Sequence, residues 1–172
     1  MTETLPLAPS IELLFPSEFG YEKIARETVA AFARRLGFEQ DRIEDLKTAL
    51  CEACVNAIEH GNQHGPGLRV SVTCVGTEQL LLIEIIDQGR KRYQGSPPPA
   101  DIDSKVGGKV PLRGMGLMII AQLVDEAGFV ETAEEGNCFR LTMYRRRRDQ
   151  PVTSDRPLRH TPAPAKSAHA SG

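Results

Sequence analysis

The 172-residue sequence predicts an α/β fold, a two-layer α/β sandwich in which helices cover one face of a mixed, mostly antiparallel sheet. Three observations lead there. Two stretches of helical apolar period follow one another between residues 17 and 61. Two pairs of short apolar runs are each joined by a Gly-containing turn, as in antiparallel hairpins. The resulting order, β-α-α-β-β, a long linker, then α-β-β, interleaves hairpins with helices instead of segregating them.

The elements follow in order. "IELLF" (Ile11 to Phe15) reads as a strand closed by Pro16. Ser17 stands where it would cap a helix whose positions Tyr21, Ile24, Ala25, Thr28, Val29, Phe32 and Leu36 keep the 3.6-residue period, with Gly37 as its stop. A second helix starts at Asp41, with Glu44 three residues on as a capping box, and runs to Gly61. "LRVSVTCV" (Leu68 to Val75) and "QLLLIEIID" (Gln79 to Asp87) read as a hairpin around Gly76-Thr77-Glu78. Residues 88 to 113 keep no period and are rich in Gly, Pro, Lys and Arg, the expectation for a functional lid. "GLMIIAQLVDEA" (Gly116 to Ala127) reads as a helix, and "FVET" with "NCFRLTMYR" as a last hairpin across Glu134-Glu135-Gly136. The expected organisation is a flexible N-terminus over 1–10, one folded domain over 11–148 and a disordered tail over 149–172, where Pro, Ser, Ala and Arg replace large apolar residues.

Composition narrows the function. A 40% hydrophobic and 26% charged chain of this length suits one globular domain with a sizeable core. No apolar run approaches the roughly 20 residues that span a bilayer. The start "MTETLPLAPS" lacks the basic and apolar regions of a secretory signal, so a cytoplasmic protein without a membrane partner is expected. From Arg145 onward seven Lys or Arg stand against two Asp, a balance of +5 that leaves −7 for residues 1–144. An acidic body argues against direct nucleic-acid binding, and "RRRR" (Arg145 to Arg148) reads as a solvated sheet edge. Cys51, Cys54, Cys74 and Cys138 lie in apolar segments and read as reduced core thiols. Cys51-Glu-Ala-Cys54 is formally C-x-x-C, but its mid-helix position and the lack of a second pair argue against metal or redox use. His60 and His64 straddle the expected helix end at Gly61 and do not share a metal-binding face.

The second helix carries the chemistry. Ile43, Leu46, Leu50, Ala53, Cys54 and Ala57 form one apolar stripe, and Glu52, Asn56 and Glu59 a polar stripe on the adjoining face. Glu59 reads as ordinary surface. Asn56 does not, because Asn is a poor helix-interior residue that surface propensity alone would not select. A carboxylate and a carboxamide one turn apart aim oxygens at one point, which suits a hard cation such as magnesium, and the carboxylate is also able to orient a nucleophile. Asp87 ends an apolar strand, where a carboxylate needs hydrogen bonds, and Gly89 follows it. "RGMGLMII" sets Gly114 and Gly116 just before an apolar helix, whose first N–H groups suit phosphate oxygens.

Together, E-A-x-x-N-A-x-x-H-G (Glu52 to Gly61), D-x-G (Asp87 to Gly89) and G-x-G-L (Gly114 to Leu117) resemble the N, G1 and G2 boxes of the GHKL ATPase/kinase superfamily. The compact chain most resembles its anti-sigma-factor serine/threonine kinases, over Ile11 to Tyr144. The resemblance implies the Bergerat-type ATP-binding fold and a set of roles. Asn56 would bind the magnesium that bridges the ATP phosphates, and Glu52 would be the catalytic base for a protein hydroxyl. Asp87 would accept from the adenine amino group, with Gly89 letting the base sit against the strand end. Arg113, Gly114, Met115, Gly116 and Leu117 would form the phosphate and hinge segment, with Lys105 and Lys109 as further candidate phosphate contacts. A fuller G1 box has a second Gly where this chain has Lys91, a departure that compact anti-sigma kinases often share.

The implied activity is that of an ATP-dependent protein serine/threonine kinase acting as an anti-sigma factor. It would work in partner switching, as a homodimer, between a sigma factor and a STAS-domain anti-anti-sigma protein. The alternative is a non-catalytic module in which ATP gates partner binding. An independent ATP hydrolase is disfavoured, since no second domain is expected to close on the nucleotide.

Overall fold

Every second residue of the central strands is buried, and that period builds the sheet. The computed structural model describes residues 8–90, 115–132 and 135–146. The expected lid from Lys91 on, with Lys105, Lys109, Arg113 and Gly114, lies outside them, as do Arg147, Arg148 and the tail. Strands β1 (Ser10–Pro16), β2 (Arg69–Gly76), β3 (Leu80–Ile86), β4 (Glu126–Val130) and β5 (Cys138–Tyr144) pair in the order β1-β2-β3-β5-β4. All four ladders are antiparallel, so the sheet has no parallel pair among the described residues, where a mixed sheet was expected. β1 is an edge strand, which is why Pro16 is tolerated as its last residue.

Three helices, α1 (Tyr21–Arg35), α2 (Gln40–Asn56) and α3 (Met115–Leu123), cover one face of the sheet. Val70, Val72 and Cys74 of β2, Leu81, Ile83 and Ile85 of β3, and Phe139, Leu141 and Met143 of β5 meet the helices in one continuous core. The α2 stripe is as expected: Ile43, Leu46, Leu50, Ala53, Cys54 and Ala57 are all buried. The α1 stripe is rotated. Ala25, Val29, Ala30 and Ala33 face the core, while Tyr21 and Ile24 point outward, Ile24 with 63% of its surface exposed. Alanines bring α1 close against its neighbours, and larger apolar residues at the same period are left outside.

Neither expected cap forms. Ser17 accepts a hydrogen bond from Asn62 Nδ2 at 2.9 Å, and α1 starts four residues later, after Gly20 in a left-handed conformation. At α2 the boundary residue is Glu39, without a side-chain cap, and Glu44 accepts from Gln40 Nε2 instead of closing a box with Asp41. The helical run does reach Gly61, but Ala57–Gly61 is a π-helical turn.

α3 ends at Leu123 and not at Ala127, because the segment after it belongs to the sheet. Asp125 N–H donates to the Thr142 carbonyl, and its Oδ2 accepts from Tyr144 N–H at 2.7 Å and from Arg42 Nη2 at 2.5 Å. Arg42, itself buried, also donates to the Leu123 carbonyl at 3.2 Å, placing a cation at the helix C-terminus. No described helix is long and apolar enough to cross a membrane.

Candidate functional site

The C-terminal end of α2, the π-helical turn, the end of β3 and the start of α3 meet around a cavity of about 380 Å³. Ile85, Leu117, Phe129 and Phe139 give it apolar walls, the two phenylalanines edge to face with centroids 4.9 Å apart. Asn56, Asp87, Asn137 and His60 supply polar atoms. A cavity of this size, mostly apolar with a few convergent polar groups, suits a small molecule with one flat apolar part.

Asp87 anchors one end. It is 5% exposed, and its Oδ1 accepts from Gly89 N–H at 2.9 Å and from Asn137 N–H and Nδ2, each at 3.1 Å. Asn137 Nδ2 also reaches Oδ2, at 3.2 Å. Gly89 lies close to this carboxylate, and the room left by its missing side chain is taken by the Gly61 carbonyl. The close approach of Gly61 and Gly89 seats the π-helical turn against the strand end.

Asn62 fixes that approach. Its Nδ2 donates to Ser17 Oγ and to the Arg69 carbonyl, both at 2.9 Å, and its Oδ1 accepts from Gln88 N–H at 2.7 Å. One buried carboxamide thus ties the ends of β1, β2 and β3 to the residue that follows the π-helical turn.

Asn56 stands at the other end. Its Nδ2 is buried without a hydrogen-bond partner, alone in this among the described side-chain atoms. Gly116, in the first turn of α3, packs against it so closely that a β-carbon there would lie 3.0 Å from Glu52 Oε2 and 3.4 Å from Asn56 Nδ2. Glu52 and Asn56 of the first motif and Gly116 of the third are therefore neighbours in space. Met115 opens α3 with 44% of its surface exposed, and Leu117 is buried in the cavity wall. Glu52 stands beside Gly116 but does not line the cavity. Arg113 and Gly114 lie outside the described residues.

The orphaned Nδ2 of Asn56 is a donor and fits an acceptor oxygen of an anionic ligand, while the Oδ1 of the same amide, beside the Glu52 carboxylate, suits that ligand's cation. The amide offers an acceptor at one atom and donors at the other, and an unpaired polar atom of this kind costs free energy until a ligand satisfies it. No cluster of three or more His, Cys, Asp or Glu able to hold a metal occurs among the described residues, so Asn56 would share the ion with the ligand's own oxygens.

The cysteines take no part. All four are free. Burial pushes the Cys54 thiol far above its ordinary range and Cys74 up to about 12. Cys51, half-buried, is raised by burial first and then by Glu22 and Glu52, with Arg26 opposing. Thiols held protonated are poor nucleophiles and poor metal ligands.

Sequence reasoning missed Asn62, Asn137, Phe129 and Phe139. The inward parity of Phe139 on its strand was a usable signal. The two asparagines gave none, since their partners are 26 and 50 residues away.

Residues 15–143 match the family of histidine kinase-like ATPase domains, and the chain belongs to it. Within that family it is similar to the serine-protein kinases RsbW. The Bacillus cereus protein (strain ATCC 10987) is 33% identical over 141 residues, covering 78% of this chain and 84% of its own. The Bacillus thuringiensis protein (strain Al Hakam) is 34% identical over 141 residues with the same coverage. Among solved structures, the RsbU and RsbW domains of a Mycobacterium tuberculosis protein share the fold, with TM-score 0.52 and 20% identity. That match covers 78% of this chain and 32% of the solved one.

Proposed function

We propose that the chain is an ATP-dependent protein serine/threonine kinase that acts as an anti-sigma factor. In this reading it holds a sigma factor and phosphorylates a serine of a STAS-domain antagonist. The observation that carries the reading is that Asn56 and Asp87 line one cavity, with Gly116 packed against Asn56 and the Asn56 Nδ2 left for a ligand to satisfy. The similarity to proteins named serine-protein kinases supports it.

The adenine lies in the apolar part of the cavity, its 6-amino group donating to Asp87. The phosphates extend toward Asn56 and the start of α3, whose first N–H groups suit them. Asn56 would hold magnesium, which would supply positive charge to offset that of the phosphates. Glu52 orients the serine hydroxyl and takes its proton as the oxygen–γ-phosphorus bond forms and the bond to the β-phosphate oxygen breaks. ADP then leaves.

The protein works in the cytoplasm as a homodimer. The sheet face opposite the helices, where Leu14 is 59% exposed, offers the surface for the second copy. Incubation with γ-labelled ATP and a cognate antagonist tests the reading, with label expected on the antagonist. Nucleotide binding without any label would favour the non-catalytic gating module, and no binding at all would overturn both.

A further inference from the structure

Asn137 stands 50 residues from Asp87, yet the two are joined by four hydrogen bonds. The Asn137 backbone N–H donates to Asp87 Oδ1 at 3.1 Å, and its Nδ2 donates to Oδ1 at 3.1 Å and to Oδ2 at 3.2 Å. Its carbonyl accepts from Asp87 N–H at 3.0 Å. Gly89 N–H adds a further donor to Oδ1. An ionised carboxylate offers about four acceptor sites, two on each oxygen. Oδ1 therefore carries three donors, whereas Oδ2 has one, shared and the longest of the set.

The spare acceptor capacity of Asp87 is thus on Oδ2, and Asn137 keeps it there by gripping both oxygens. Asp87 and Asn137 both line the cavity and are 5% and 8% exposed, where an unmatched polar group is costly. The grip depends on Gly136, whose φ of +100° brings the turn onto Asp87 and whose missing β-carbon leaves room for the Asp87 carbonyl oxygen.

We propose that Asn137 is a positioning residue that sets which purine the cavity takes. It holds one Asp87 oxygen so that the other meets a 6-amino group and turns away a 6-oxo group. The proposal rests on the reading of this cavity as the base pocket. A 6-amino purine donates to the spare oxygen. A 6-oxo purine sets acceptor against acceptor, and a desolvated mismatch of that kind discriminates strongly.

The test uses the full chain and competition against a fluorescent ADP analogue. The competitors are ATP, GTP and purine riboside triphosphate, which has no 6-substituent. The parent is expected to prefer ATP to both by about tenfold or more. Asn137→Ala should weaken ATP about tenfold while leaving purine riboside triphosphate unchanged, so that the advantage of the 6-amino group collapses. Asn137→Thr, which keeps one side-chain donor, should fall between, and it carries the same comparison if the alanine variant does not fold. Equal weakening of ATP and purine riboside triphosphate would mark a merely structural role and overturn the proposal. So would an undiminished ATP preference in the variants, or a parent that binds all three alike. A parent that binds none of them would bring down the base-pocket reading, and this proposal with it.

Discussion

The two ends of the cavity are built on opposite principles. At the Asp87 end a buried carboxylate is held in place by donors from Gly89 and Asn137, so the protein fixes that group by itself and leaves only acceptor capacity on Oδ2. At the Asn56 end a buried carboxamide atom has no partner, and completion is left to a ligand. The difference separates two tasks. The closed end is pre-organised, so it discriminates on shape and hydrogen-bond pattern without rearranging. The open end leaves a hydrogen bond for a ligand to make, which suits an anionic ligand that comes and goes.

Substitutions at the two ends should divide stability from binding. Asp87→Ala is expected to have the largest effect. It strands the donors of Gly89 and Asn137, lowering stability by about 3 kcal/mol in urea denaturation, and it should abolish calorimetrically detectable ATP binding. Parent-like ATP affinity in this variant would remove Asp87 from the site. Glu52→Gln should come next. Phosphorylation of the antagonist falls about a hundredfold or more while ATP affinity stays within about threefold of the parent. Undiminished transfer would exclude Glu52 as the base.

Asn56→Ala sharpens the comparison most directly. No protein hydrogen bond to its Nδ2 is lost and an unsatisfied buried donor is removed, so stability should rise by about 1 kcal/mol, while magnesium-ATP affinity falls about tenfold. A large loss of stability would show that the open end is closed by the protein after all. The last effect lies away from both ends and shows only at alkaline pH. Cys74 is pushed up to about 12 in the fold against 9.0 for an ordinary thiol. Its contribution is therefore complete below pH 9 and lost as pH rises toward 12. Over that window the parent should lose about 1.4 kcal/mol per pH unit through this group. Cys74→Val should be spared that share, and matching slopes for the two proteins would reject it.

How much of this could be read in advance depended on where each residue's partners lie. The α2 stripe was legible because Ile43, Leu46, Leu50 and Ala53 meet the sheet along one helical face, and periodicity reports faces. The α1 stripe was half legible. Ile24 and Ala25 both fit an apolar arc, and the close packing that favours alanine on the buried side leaves no trace in the pattern. The caps failed because Ser17 finds Asn62, 45 residues away, and a side chain with a tertiary partner does not cap. The end of α3 was unreadable for the same reason, being set by Arg42 across 81 residues. In the site, Glu52, Asn56, Asp87 and Gly116 stood out through their spacing in short motifs. Asn137 and Phe129 are defined only by what the fold brings to them.

The π-helical turn has a consequence for how the chain tolerates change in length. Along an α-helix, five steps from Asn56 would carry Gly61 through about 500°, leaving it roughly 140° away around the axis. The wider turn, closed by Asn62 N–H on the Ala57 carbonyl at 2.8 Å, takes in one residue more than an α-turn. That extra residue works as a spacer, setting the angle between the helix bearing Asn56 and the glycine that abuts Asp87. Loss of one residue between 57 and 61 would leave four α-helical steps of about 100°, roughly 400° in all, and keep the glycine close to its present angle. One added residue in ordinary winding would instead carry it about 100° further round, with every named site residue still present. The spacing of the motif is thus a measure of rotation, and an added residue there would uncouple the two ends of the cavity without altering the chemistry of either.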